Sequence, residues 1–262
     1  TIVEPQYGTG SLVSLLGGAD VHWGEIDPAR AMASQVFRSA SLGSLLLSTG
    51  NTLKGNIGLN LGSSNTHVIA NPPFGKPPKN ADTFVKVPIG VNKDHLPESS
   101  RSPVTFETNN VEDVVIGKAL TELPDLGIGV FIIGAPGGPT LTEEARKKAY
   151  QRGIFKALYS HNVLGHYTMA GKLYKATGTT FPVDVIVVQK TDKKKRLIRP
   201  KGKVAPDLMN GELPQILDSA ESIDKAMREY SENYGAKKIN LQRRLERLVG
   251  GSFSSVPGRK NV

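Results

Sequence analysis

The chain has 262 residues, 38% hydrophobic and 22% charged, with a formal net charge of +9 and no cysteine. That length buries one substantial core and a small appendage, no run approaches the ~18 apolar residues of a spanning helix, and the N-terminus lacks a basic region followed by an apolar one. Disulfides and thiolate metal sites are excluded and the five histidines lack ligand spacing, so no metal and no membrane are expected and a cytoplasmic or phage-encoded protein is the simplest expectation.

Ile2-Val3-Glu4 is a short β-branched run, predicted as a strand over 2–4, and Pro5 leads into a turn with Gly8, Thr9 and Gly10. Glycines there let backbone approach a ligand closely and feed a helix over about 10–17. A second predicted strand near 20–25 ends in Glu25-Ile26-Asp27-Pro28, and Pro28 opens a helix running to about Leu47. A carboxylate at such a strand end can accept two hydrogen bonds from ribose hydroxyls; a merely solvated acid is the alternative for Glu25.

The apolar run over 66–70 stops abruptly at Asn71-Pro72-Pro73-Phe74. Two prolines neither extend a strand nor donate ladder hydrogen bonds, so the chain turns rigidly at the strand's carboxyl end. Asn71 supplies an amide oxygen, the prolines supply constrained carbonyls and Phe74 supplies an aromatic face, a set suited to gripping a planar group with an amino substituent. A plain Pro-Pro turn between core elements is the competing explanation.

Residues 76–108 have no sustained period and read as a long loop over the active face. Alternation resumes with a helix near 111–123, a strand over 129–133, a Gly-Gly-Pro turn at 137–139, a helix over 142–158, and strands near 161–168 and 182–189. Helical stretches follow near 212–232 and 236–249, the second a basic amphipathic helix with Ile239, Leu241, Leu245 and Leu248 among Arg243, Arg244 and Arg247. Gly250-Gly251 ends it, and the remainder is expected to be disordered.

Glu4-Pro5-x-x-Gly8-x-Gly10, then Glu25-Ile26-Asp27-Pro28, then Asn71-Pro72-Pro73-Phe74, all within seventy-five residues, resembles the S-adenosylmethionine-dependent amino-methyltransferases, in particular the adenine-specific DNA methyltransferases. Order and spacing match that family's cofactor loop, ribose acid and catalytic tetrapeptide. Residues 109–134 and 171–190 are similar to the later helix, strand and closing-strand regions of such domains in large phage and plasmid proteins, so the resemblance covers roughly residues 1–190.

The resemblance implies an α/β, Rossmann-like methyltransferase fold, a mostly parallel twisted sheet with an antiparallel closing strand; charge and apolar period beyond residue 190 add a basic helical C-terminal extension. It implies an S-adenosylmethionine site at Glu4, Pro5, Gly8, Thr9, Gly10, Glu25, Ile26 and Asn71, and a catalytic group of Asn71, Pro72, Pro73 and Phe74. Phe181, in the Thr179-Thr180-Phe181-Pro182 turn, is a candidate second wall around a target base stacked on Phe74; a core aromatic at a strand start is its equal alternative. Three departures stand out. Asn51, a cofactor-binding candidate through its uncharged amide oxygen, takes the place of the acid that usually receives the cofactor's adenine amino group, the segment that usually precedes the glycine loop is missing, supplied from elsewhere or cut away, and Gln6-Tyr7 replaces smaller loop residues. Cytosine carbon-5 methylation, which needs a covalent cysteine adduct, is unavailable to this chain.

Charge divides the chain. Residues 189–203 hold eight Lys/Arg against Asp192, and residues 235–262 hold seven against Glu246. Such segments suit a polyanion, with Lys193, Lys194, Lys195 and Arg196 as candidate phosphate contacts; a solvated tail competes. The expected organisation is a catalytic domain over 1–190, a basic linker over 191–211 and a helical basic extension over 212–262, with DNA as partner and further domains of a larger polypeptide as possible companions. RNA or a protein glutamine amide as the acceptor, and a non-reactive nucleic-acid-binding module, remain the alternatives.

Overall fold

The computed structural model describes residues 2–5, 20–25, 27, 29, 45–49, 66–74, 85–89, 104–108, 110–136, 142–177, 180–191 and 205–234. Its main sheet is built from β1 (Ile2–Glu4), β2 (Val21–Glu25), β3 (Leu45–Thr49), β4 (His67–Ala70), β7 (Ile128–Gly134), β8 (Asn162–Met169), β9 (Val183–Gln189) and β10 (Gln215–Leu217). Their order across the sheet is β10-β8-β9-β7-β4-β1-β2-β3. All neighbours are parallel except β9, which runs antiparallel to both β7 and β8. The expected α/β class, mostly parallel with an antiparallel closing strand, is therefore what the chain forms.

Strands covered on both faces read as nearly continuous apolar runs, as Ile-Gly-Val-Phe-Ile-Ile-Gly in β7 does. On one face α1 (Val111–Glu122) and α3 (Gly153–Tyr159) bring Ile116, Ala119, Leu120, Ile154, Phe155 and Leu158 against Val3, Val68, Phe131, Ile133, Ile186 and Val188. The start of α1 is buried, acids included, which requires partners for them. Asp113 receives them: the Thr108 hydroxyl donates at 2.9 Å and the Arg152 guanidinium at 2.7 Å, tying α1 to the start of α3. At the far end of α1, Lys190 Nζ donates to the carbonyls of Thr121 and Leu123, the last-turn acceptors a helix leaves unsatisfied.

Four expectations are corrected. The helix foreseen from Pro28 to about Leu47 runs into β3, because the short apolar run Leu45-Leu46-Leu47 suits a buried strand as well as a helix. The loop foreseen over 76–108 contains β5 (Val85–Ile89) and β6 (Val104–Thr108), paired antiparallel as a separate two-stranded sheet. The helix foreseen over 142–158 breaks into α2 (Glu143–Ala149) and α3, since Tyr150, Gln151 and Arg152 are pulled in different directions, to Asp184, Leu208 and Asp113.

Finally, the stretch over 212–232 is not helical throughout: β10 adds to the sheet beside β8 before α4 (Ala220–Tyr234) begins. α4 docks on β8, the Tyr234 hydroxyl donating to the Leu164 carbonyl at 2.7 Å. A Cβ on Gly165 would lie 3.1 Å from the Tyr230 ring, so a residue without a side chain lets that ring close on the strand. With four acids against Lys225 and Arg228, α4 is not itself basic. The helix over 236–249, the tail beyond it and the turn at 137–139 lie outside the described residues, as does the stretch over 10–17. Among the described residues no helix is long and apolar enough to cross a membrane.

Candidate functional site

From β1 the chain proceeds to β2 and β3 on one side and then returns to β4 on the other. Such a reversal opens a crevice at the carboxyl ends of the strands, where open α/β sheets bind ligands. Glu4 ends β1, Glu25 ends β2, and Asn71-Pro72-Pro73-Phe74 follows directly on β4, the strand beside β1. The turn with Phe181 reaches the same edge from the opposite direction, because antiparallel β9 begins with Val183 paired to Gly134, the last residue of β7.

Glu4 is buried, 2% exposed, and its Oε2 has no hydrogen-bond partner among the described residues. Burial without a compensating cation pushes its carboxyl up to about 8. Glu25 is buried as well, and its Oε1 accepts the Asp27 backbone N–H at 2.9 Å while Asp27 Oδ1 accepts that of Ala29 at 2.9 Å. These local bonds turn the chain sharply away after β2 and leave the Glu25 carboxyl at the strand end. Pro5 and Pro72 are buried, whereas Asn71, Pro73 and Phe74 are exposed at the edge.

Phe74 and Phe181, 107 residues apart in the chain, are 45% and 46% exposed, with ring centroids 6.5 Å apart and planes tilted by 38°. Two large apolar rings left half in solvent, at a spacing where tilted rings touch each other, form an aromatic slot that is closed as it stands. Gly134 lies beneath both. The structure thus brings Glu4, Glu25, Asn71, Phe74 and Phe181 to one edge. Gly8, Thr9, Gly10, Ile26, Asn51, Lys193, Lys194, Lys195 and Arg196 lie outside the described residues.

Behind the slot is a buried polar cluster to which the sequence reading assigned no role. Asp184 is fully buried and accepts from the Tyr150 hydroxyl at 2.9 Å and the Thr168 hydroxyl at 2.7 Å, with His166 Nε2 at 3.3 Å. His166 Nδ1 lies 2.7 Å from the Tyr159 hydroxyl. Burial and the adjacent Asp184 carboxylate both raise the Tyr150 phenol above its ordinary range. The available signal was Asp184 itself, an acid inside the apolar strand Val183-Asp-Val-Ile-Val-Val. Among the described residues no cluster of His, Cys, Asp or Glu is arranged to hold a metal ion.

No family model matches the chain, and no curated protein does. Among solved structures it is similar to a protein from Listeria monocytogenes assigned as a class I S-adenosylmethionine-dependent methyltransferase, at 14% identity and a TM-score of 0.51, over 89% of this chain and 64% of that one. A Pyrococcus horikoshii protein assigned as an RNA methyltransferase matches at 18% identity and a TM-score of 0.41, over 73% of this chain and 74% of that one. The protein of the DrdV–DNA complex matches at 11% identity and a TM-score of 0.49, over 86% of this chain and 26% of that one. This chain therefore spans just under two thirds of the Listeria protein and about a quarter of the DrdV chain. Likeness at such identity is likeness of fold alone, and the fold shared with the Listeria protein is the Rossmann-like methyltransferase fold.

Proposed function

We propose that this chain transfers a methyl group from S-adenosylmethionine to the exocyclic amino group of adenine in DNA by direct in-line displacement. The observation that carries the proposal is the convergence, at one sheet edge, of two buried acids on β1 and β2 with an exposed Asn-Pro-Pro-Phe turn and a second half-exposed aromatic ring.

The donor set fits the cofactor. Glu4 presents a buried carboxyl with one oxygen lacking a partner among the described residues, a group that gains from a nearby positive charge such as the cofactor's sulfonium or ammonium. Glu25, one strand further out, is placed to accept from ribose hydroxyls. S-adenosylmethionine supplies an electrophilic methyl group when bound.

The chain's own contribution concerns the acceptor. The amino lone pair of adenine is delocalised into its ring and is a poor nucleophile. The Asn71 amide oxygen and the Pro72 carbonyl accept its two hydrogens and stabilise the positive charge that develops on nitrogen, an electrostatic contribution needing no covalent intermediate. The prolines hold these acceptors in place, so alignment is set before the reaction rather than during it. A base inside a duplex cannot reach the turn, so the target is flipped or single-stranded, stacked on Phe74 with Phe181 opposite. The Lys/Arg excess of residues 189–203 supports a phosphate backbone as the wider partner.

Incubating the purified chain with methyl-labelled S-adenosylmethionine and DNA, RNA and glutamine-containing protein tests this. Label on the adenine amino group of DNA is expected; label confined to RNA or protein reassigns the acceptor. Asn71→Ala is expected to abolish transfer with fold and cofactor affinity nearly intact, and Phe74→Ala to lose both base binding and rate. Comparable turnover by Asn71→Ala would sink the role given to the tetrapeptide.

A further inference from the structure

Gly134 ends β7 at the point where the two exposed rings meet. A Cβ there would lie 3.3 Å from Phe181 Cε1 and 3.6 Å from Phe74 Cγ. The backbone takes no positive φ at this position, so any residue suits its conformation and only space distinguishes glycine. A hydrogen thus stands where every other residue would place carbon against both rings.

The rings touch each other at a tilt, so a flat guest has to part them. A planar group stacked between two others needs about 7 Å between the outer pair, twice the ~3.5 Å of a close carbon contact. The centroids stand 6.5 Å apart at a 38° tilt, so the rings have to turn parallel and separate to admit a guest, a movement for which their half-exposed faces leave room.

We propose that Gly134 is a specificity-determining residue: its missing side chain leaves the floor between Phe74 and Phe181 open to the edge of a flipped heteroaromatic base, an assignment that rests on the transfer proposed above. A methyl group at 134 fills that floor and displaces the Phe181 ring by a few tenths of an ångström, which a half-exposed ring accommodates. β4 separates β7 from Glu4 on β1 and Glu25 on β2, so the hold of these two acids on the cofactor is unaffected by a change at 134.

The test titrates wild type and Gly134→Ala with a single-stranded oligonucleotide carrying one 2-aminopurine, following its fluorescence, and measures methyl transfer to the matching adenine oligonucleotide. Wild type is expected to quench 2-aminopurine by stacking. Gly134→Ala is expected to lose most of that quenching and to raise KM for the oligonucleotide about fivefold or more, since stacking of one base contributes ~1–3 kcal/mol, with kcat, thermal midpoint and cofactor Kd near wild type. Unchanged quenching and KM in Gly134→Ala, or no quenching by wild type, overturns the inference. Quenching that depends on Gly134 without any methyl transfer upholds the slot and refutes the transfer reaction. Should Gly134→Ala fail to fold, the comparison is made in Phe181→Leu, where the ring atom it would meet is gone: equal quenching with and without the added methyl group overturns the inference.

Discussion

Glu4 and Glu25 end neighbouring strands in similar burial, yet they make different demands on the fold. Glu4 is about 8 in the folded chain because burial penalises its charged form, against an ordinary value of 4.5. A carboxyl raised by folding binds its proton more tightly in the native state, so its contribution to stability is fully present below about 4.5 and is lost as pH rises through 8. Thermal midpoints of wild type are therefore expected to fall between pH 5 and 8 relative to Glu4→Gln, whose profile is flatter; parallel profiles would refute a buried, protonated Glu4. If the cofactor's positive charge sits beside Glu4, wild-type affinity also rises over that window, by up to ~10-fold per pH unit, while Glu4→Gln shows no such rise by calorimetry. Glu25→Ala is expected to weaken cofactor binding by roughly 1.5–3 kcal/mol through loss of charge-assisted hydrogen bonds. Unchanged calorimetric affinity would remove Glu25 from the site.

At the scale of elements, the end of the sheet beyond β7 is held by the buried cluster around Asp184, which joins β9 to β8 through Thr168 and to the break between α2 and α3 through Tyr150. Removing the carboxylate leaves two buried hydroxyls without their acceptor, a loss well above that of a surface pair. Asp184→Ala is expected to cost about 3 kcal/mol or more in urea unfolding, with Asp184→Asn milder because it keeps one acceptor. A change under ~1 kcal/mol would show that the cluster does not couple these elements. Because β9 also positions the turn with Phe181, the alanine variant is further expected to weaken base stacking at the site.

Across the whole molecule, the proposed function draws on charge concentrated in two segments of the sequence. The segments over 189–203 and 235–262 hold fifteen Lys/Arg against two acids, leaving the rest of the chain at about −4. Charge of that distribution suits a phosphate backbone, which Lys/Arg contacts would hold in place without reading its bases. Replacing Lys193, Lys194, Lys195 and Arg196 with Gln is expected to weaken binding to two unrelated duplexes alike and to lower the salt slope by as much as ~3–4, with cofactor affinity unchanged. Identical slopes assign these residues to a solvated tail, and loss on one duplex alone points to base readout.

The sequence by itself determined the frame of the site. Apolar runs ending in Glu4, Glu25 and Asn71-Pro72-Pro73-Phe74 place three strand ends, since proline and a terminal acid stop a buried strand whatever lies around it. The closing strand was legible from the β-branched run Val185-Ile186-Val187-Val188, its antiparallel sense only from the family resemblance. Short ambiguous stretches were not legible: Leu45-Leu46-Leu47 satisfies either period, and β5, β6 and β10 take their pairing from partners far along the chain. Only tertiary structure decided that Phe181 stands 6.5 Å from Phe74 and that Gly134 lies beneath both, because strand pairing, which has no local signature, brings residues 74, 134 and 181 to one edge. It likewise decided that Glu4 is buried and Asp184 satisfied, since burial is a property of what packs around a residue and not of the residue itself.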